Sequence, residues 1–288
     1  MLDVHKKIAL GTVQFGLDYG INNPVGKVDL TEIEQILTYA LKSGIDTLDT
    51  ASLYGDSEKR LGQFSLPKFK IISKLPDCKV NEVKSHFMTS LEHLKQERIY
   101  GYIIHHFDTY RKQPELFSAI KELKEDGLIE KIGFSLYHPY ELEYLIENEV
   151  EFQLVQFPLN IFDQRFIPYL DFLKQKGVEI HIRSAFLQGL FFMNTEDLPN
   201  HFQSVKSKLI RLNELCTSEG IDKSLLCLGF LVENQNIDKV VIGVDNVTQL
   251  QSNVKHLSFL GKIQGIKDEL YEMKEKDEQI ILPMNWQI

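Results

Sequence analysis

The sequence predicts a (β/α)8 TIM barrel, and three observations carry that prediction. Short apolar runs alternate with longer amphipathic stretches. The runs number eight and recur at a spacing of roughly 30 residues, as strand-helix units of such barrels do. No Pro- or Gly-rich linker divides the chain. A doubly wound open sheet also alternates strands and helices, but eight unbroken repeats favour closure. Residues 1–288 are therefore expected to form one barrel domain, with an extra helix before strand eight and a C-terminal helical tail.

Strands are expected over residues 8–12, 45–50, 69–74, 99–105, 131–135, 152–157, 178–184 and 239–243. Their near-continuous apolar character is what a parallel strand covered on both faces requires. The first helix, over 31–43, opens with Thr31 and has Glu34 three residues on, the pattern of a capping box. Amphipathic spacing predicts helices over 115–126, 140–147, 166–176, 204–218, 224–233 and 247–257. Gly44, Gly127 and Gly177 each follow a helical run, where a left-handed residue ends a helix. Two of these helices, 204–218 and 224–233, precede strand eight and supply the extra one. The tail from residue 261 predicts a helix over 266–276 and an irregular end.

Composition narrows the function classes. The chain has 288 residues, 43% hydrophobic and 25% charged, the balance of a globular protein with ample core. A net charge of −9 and the absence of a basic run argue against nucleic acid and anionic membrane as partners. No stretch approaches the ~18 apolar residues of a membrane span, and residues 1–7 carry no apolar signal region. Cys78, Cys216 and Cys227 are scattered without metal-ligand spacing, which fits a reducing cytoplasm. No assembly signal stands out, so a monomer or dimer is expected.

Ionisable residues mark one end of three consecutive strands. Asp49, Lys74 and His105 fall at or near the C-terminal ends of strands two, three and four, and Tyr54 follows Asp49 closely. Charges at apolar strand ends are costly unless paired. In a barrel these ends converge on one mouth, where the chemistry of such folds sits. A phenol with an ordinary pKa near ~10 is a poor donor at neutral pH. A neighbouring ammonium lowers it. Lys74 can supply that charge, Asp49 can hold Lys74 in place, and His105 can orient a carbonyl oxygen. The set can polarise a C=O and protonate its oxygen. Hydride must reach the carbon, and no side chain supplies hydride, so a nicotinamide cofactor is implied. Residue by residue, other readings stay open. Asp49 with Lys74 could be an ion pair fixing strand register, Tyr54 a loop tyrosine, and His105 a packed strand-end histidine.

Four segments resemble the aldo-keto reductases: Leu10-Gly11-Thr12, the stretch from Asp46 to Gly55, Ile72-Ser73-Lys74, and Tyr102-Ile103-Ile104-His105. The resemblance keeps motif order and spacing over nearly the whole chain, most closely to a bacterial subgroup linked to sugar or polysaccharide metabolism. It implies a reductase of aldehydes or ketones that uses NADPH, with NADH as the other option. It makes Tyr54 the proton donor, tuned by Lys74 and Asp49, with His105 orienting the substrate. Gly11 and Thr12 fall in the cofactor set. Ser135 and Gln156 match residues that hold the nicotinamide carboxamide, although Leu136 replaces the usual Asn. Arg183 stands where many members place an aromatic that stacks on the nicotinamide. Ser184, Leu187 and Gly189 belong to a loop resembling the one that covers the pyrophosphate. Gly243, Asp245, Gln249 and Asn253 resemble the adenosine-binding segment. Asp245 and Gln249 replace the usual cation there and suit a free 2′-hydroxyl, with Lys255 the nearest cation in sequence. The substrate mouth would draw on Gln14, Phe15, Tyr19, Asn160 and Arg165, and His106 replaces a common Trp, which makes a small, polar, sugar-derived carbonyl compound the expected substrate.

Two further function classes follow from the same residues. One is a cofactor-binding regulatory or redox-sensing protein with little turnover. The other is a barrel lyase or hydrolase using Lys74 as a Schiff-base nucleophile. No cluster of His, Asp and Glu has metal-ligand spacing, so no metal is expected.

Overall fold

The computed structural model describes residues 4–21, 23 and 25–287. Residues 1–3, where the stretch without a signal region begins, and residue 288, where the expected domain ends, lie outside the described residues. Eight parallel strands close into a barrel in sequence order. They are β1 (Ile8–Gly11), β2 (Thr47–Asp49), β3 (Lys70–Leu75), β4 (Ile99–Ile104), β5 (Ile129–Ser135), β6 (Leu154–Pro158), β7 (Glu179–Arg183) and β8 (Lys239–Ile242). Closure is made by β1 pairing with β8, with Leu10 opposite Ile242.

Alternation along the strands explains the layers inside. Ile72, Ile103 and Leu154 form a small buried cluster of their own. Each lies two residues before a polar residue of the upper rim: Lys74, His105 and Gln156. Side chains two apart share a face, so this aliphatic layer lies beneath the rim. The remaining core packs the outer faces of the strands against the helices, including Phe134, Phe157 and Phe166. Each such fully buried large side chain contributes about 1.5–3 kcal/mol relative to exposure.

The helical layer follows the sequence pattern with informative shifts. The first major helix runs Leu30–Lys42, and its cap is Asp29, whose side chain accepts from Glu32 N at 2.8 Å. The expected cap at Thr31 is displaced by two residues because Asp29 accepts that bond equally well from outside the helix. Helix Val83–Leu94 falls outside the expected set, although its buried apolar residues Val83, Phe87, Leu91 and Leu94 repeat at helical spacing. Short helices Ser57–Leu61 and Phe107–Lys112 also lie outside it. Before β8 come the two expected helices, Lys206–Glu219 and Lys223–Val232. The tail is more broken than one helix over 266–276: a 3-10 segment Leu257–Ile266 leads into helix Lys267–Glu272, and helix Glu278–Ile281 follows. Glu275 N donates to Phe162 O at 2.8 Å, so the backbone there serves a tertiary contact instead of a longer helix. No helix among the described residues is long and apolar enough to cross a membrane.

Candidate active site

Strand register brings the ionisable residues together. Asp49 ends β2 and pairs with Gly11 of β1 on one side and Ile72 of β3 on the other. Lys74 is the penultimate residue of β3, and His105 follows β4 directly. Lys74 Nζ lies 2.6 Å from Asp49 Oδ1, 2.9 Å from Thr50 O and 3.3 Å from Tyr54 OH. An ammonium has three N–H groups and no acceptor, so these contacts use its donors fully. Lys74 donates to the phenol oxygen, which leaves the Tyr54 hydrogen free to point away from the lysine. The His105 ring meets Tyr54 edge-on, with centroids 5.9 Å apart and planes at 82°.

The loop that carries Tyr54 is pinned from several sides. A Cβ on Gly16 would sit 1.8 Å from Tyr54 O, so only glycine permits this approach. Ser57 Oγ lies 2.8 Å from Thr12 O and 3.2 Å from Thr50 Oγ1. The buried Glu58 accepts from Ser73 Oγ at 2.5 Å, and Arg60 donates to Phe15 O. Ser57, Glu58 and Arg60 were not read from the sequence as part of the site. The signal available was a polar run from Asp56 to Arg60 after Tyr54-Gly55, of which the fold buries Ser57, Glu58 and Arg60.

Electrostatics departs from expectation at Tyr54. Burial, and then the Asp49 carboxylate, push the phenol well above its ordinary value, and Arg183 only partly opposes them. The expected lowering by Lys74 is overridden, chiefly by that burial and then by the Asp49 carboxylate beside it. Tyr54 is therefore fully protonated at neutral pH, which a proton donor requires. Burial pulls Lys74 down while Asp49 supports its charge. Burial and the positive Lys74 push His105 down to about 2, so its ring is neutral. His105 Nδ1 is buried without a partner. A buried N–H with no acceptor is costly, which favours the tautomer with the proton on Nε2.

The neighbouring polar residues divide into engaged and unengaged groups. Gln156 donates to Asp49 Oδ2 at 2.6 Å, leaving its own Oε1 buried and unpartnered. Ser135 stands opposite Gln156 in the β5–β6 register. Gln14 Oε1 is likewise buried and unpartnered, and its amide lies against Gly243, where a Cβ would come within 2.3 Å of Gln14 Nε2. The Thr12 hydroxyl is spent on Asp49 O at 3.0 Å. The Arg183 guanidinium lies 4.0 Å from the Tyr137 ring centroid and donates to Leu136 O at 3.0 Å. Its stacking partner in this structure is thus Tyr137, a residue not singled out from the sequence. Ser184, Leu187, Gln188 and Gly189 all have φ between +45° and +96°. Such a run of left-handed residues is costly outside glycine and clusters at functional sites. Asp245 and Gln249 bond each other, with Gln249 Nε2 3.1 Å from Asp245 Oδ2. Asn253 is buried on helix Val247–His256.

The expected substrate-mouth residues are only partly free. Phe15 is core. Asn160 caps its own loop, accepting from Phe162 N and Asp163 N at 2.9 Å each. Arg165 is spent on Asp163, Glu278 and Tyr137 O. Tyr19 OH accepts from Gln188 Nε2 at 2.8 Å across the mouth. Among the described residues no group of His, Cys, Asp or Glu could hold a metal ion.

Fold and cluster define a (β/α)8 barrel with a buried Lys74–Asp49 pair, a half-buried Tyr54 bonded to it and a facing histidine at its C-terminal mouth. The pattern of the Aldo/keto reductase family matches residues 7–268, and the chain belongs to that family. It is 25% identical over 283 residues to the L-galactose dehydrogenase of Arabidopsis thaliana, covering 88% of this chain and 87% of that protein. It is 27% identical over 201 residues to the glyoxal reductase of Bacillus subtilis, covering 62% of this chain and 68% of that protein. The aldo-keto reductase of Bacillus halodurans, solved in its holo form, superposes with a TM-score of 0.73 at 19% identity, covering 94% of both chains. Family and relatives support carbonyl reduction as the general chemistry.

Proposed function

We propose that residues 1–288 act as one unit, reducing an aldehyde or ketone to an alcohol with a reduced nicotinamide dinucleotide. The observation that carries this reading is the one-way hydrogen bond from Lys74 to the Tyr54 oxygen at 3.3 Å, with Lys74 itself anchored on Asp49. It fixes the phenol as a neutral donor aimed away from the lysine. His105, neutral and carrying its proton on Nε2, would donate to the carbonyl oxygen. Tyr54 would pass its proton to that oxygen as charge develops there, and Lys74 would stabilise the resulting phenolate.

The residues present fit the cofactor. Gln156 Oε1 and Gln14 Oε1 are buried acceptors without donors, which a carboxamide NH2 or ribose hydroxyl satisfies. Ser135 lies beside Gln156, Gly243 leaves the room that the Gln14 amide occupies at the rim, and the left-handed residues of loop 184–189 suit phosphate oxygens. Bound nicotinamide supplies the hydride. NADPH is the family's expectation. NADH is admitted because Asp245, and Glu32 at the backbone of Val247, put carboxylates at the start of helix Val247–His256.

The substrate is a small, polar, sugar-derived carbonyl compound, and the site is cytoplasmic in a monomer or dimer. Full use of the Lys74 donors argues against a Schiff-base role, and the complete Tyr54-Lys74-Asp49-His105 set argues against a binding protein without turnover. The reading is tested by following nicotinamide oxidation with a panel of small aldehydes. Turnover lost in Tyr54→Phe is expected; retention of most turnover would overturn it.

A further inference from the structure

Arg183 brings to the upper rim a charge that no acid answers. Glu179, His181 and Arg183 alternate along β7 and share one face. Glu179 reaches Tyr100 on β4 and Lys131 on β5, strands that do not neighbour β7, so that face looks into the barrel. Arg183 stands on it at the mouth, opposite Pro158 of β6 and one inward position above the Gln156–His181 level. Its guanidinium passes β6 to donate to Leu136 O, just beyond β5. Leu136 N donates to Gln156 O at 2.7 Å, and Ser135 is the register partner of Gln156. The guanidinium thus lies across the mouth side of Gln156, against the half-buried Tyr137 ring. Its remaining polar partner among the described residues is the Ser184 hydroxyl, 3.5 Å away. Asp49, the acid of this rim, has one oxygen on Lys74 and the other on Gln156. Burial is the larger influence at Tyr54, Lys74 and His105, but the Arg183 charge is felt at all three and works against a proton on each.

We propose, resting on the reductase reading above, that Arg183 makes this site prefer the reduced dinucleotide over the oxidised one. The two forms differ in the charge of the nicotinamide ring, which is a cation when oxidised and neutral when reduced. A ring held through Gln156 Oε1 has the guanidinium for a neighbour. A fixed positive charge in a half-buried site is weakly screened and repels the cationic ring, while the neutral ring of nearly the same shape escapes that cost. Guanidinium stays charged at any working pH, so the bias is permanent. Tyr137 is the positioning residue that holds the guanidinium in place. The consequence is easier release of the oxidised cofactor and a site biased toward reduction.

Titration calorimetry with NADH and NAD⁺, and with NADPH and NADP⁺, reads this preference without turnover. In the wild type the oxidised form of the pair that binds is expected to have a Kd about tenfold above that of the reduced form. Arg183→Gln keeps a planar polar group without the charge, and is expected to bring the two Kd values within about threefold of each other. Arg183→Lys keeps the charge and is expected to keep most of the ratio. Tyr137→Leu frees the guanidinium and is expected to lower the ratio by less than Arg183→Gln. A purely structural role would move both Kd values together and leave the ratio alone. A wild-type ratio near one, or a ratio unmoved in folded Arg183→Gln, would overturn this inference while leaving the reductase reading intact. Binding of no dinucleotide in either form would overturn both.

Discussion

The two ends of the barrel use the same residue types for opposite ends. At the C-terminal mouth Asp49 and Lys74 pair at 2.6 Å, and around them Gln156 Oε1, Gln14 Oε1 and His105 Nδ1 are buried without partners. At the N-terminal end Lys131 and Glu179 also pair. There, four residues below the rim on the strands that carry Ser135 and Arg183, Glu179 accepts from Tyr100 OH at 2.6 Å and lies 2.7 Å from His181 Nε2. Lys239 bonds Asp46 and Lys6 O, and Lys174 bonds Asp238. In this lower network only His181 Nδ1 lacks a partner. The lower end spends its hydrogen-bonding capacity on itself, and the upper end holds capacity in reserve. Unspent buried polarity costs stability and marks where a ligand is meant to complete the site.

Substitutions at the two ends should therefore separate turnover from stability. The largest effect belongs to Tyr54→Phe, expected to lower kcat by about 10²–10⁴ while cofactor binding persists, as steady-state rates and a binding titration would read. Next is Lys74→Met, which strands the buried Asp49 charge. It is expected to cost about 3–5 kcal/mol in chemical denaturation and to abolish turnover. At the lower end Glu179→Gln is expected to cost about 1–3 kcal/mol and leave kcat/KM near wild type, so comparable activity loss there would erase the distinction.

The smallest effects lie in the pH dependence. His105 titrates at about 2 when folded, below its unfolded value near ~6.5. The unfolded chain then binds a proton that the native one refuses, so stability falls as pH drops through that window. Bonds from His181, Lys131 and Tyr100 outweigh burial and hold Glu179 below its ordinary value. Its contribution is present above about pH 4.3 and is lost as pH falls further. His105→Phe should flatten the upper part of the acid limb and Glu179→Gln the lower, in denaturation curves measured from pH 7 down to 3.

Most of this contrast was legible in the sequence at the upper end and little of it at the lower. Asp49, Lys74 and His105 stood out because each interrupts an apolar run at a strand terminus, and the register places all three on one mouth. Periodicity found every strand, since a run covered on both faces has no polar alternation to blur it. It passed over helix Val83–Leu94, where Ser85, His86, Thr89 and Ser90 dilute the apolar stripe. Contacts far apart in sequence stayed out of reach. Arg165 reads as a free cation near the mouth, but Asp163 and Glu278 consume it, and Glu278 lies 113 residues away. The stacking of Arg183 on Tyr137 and the hold of Asp77 on His106 are equally tertiary. The sign of the Tyr54 shift also required structure, because it depends on burial that no local pattern reports.

The most direct measurement is a fluorescence titration with NADPH and with NADH of wild type, Gln156→Leu and Glu179→Gln. Saturable binding to wild type and Glu179→Gln, weakened at least tenfold in Gln156→Leu, is the predicted result, since Gln156, unlike Glu179, holds an unspent acceptor toward the ligand. Binding of neither nucleotide, or equal weakening in both variants, would contradict the assignment of the upper rim as the cofactor site.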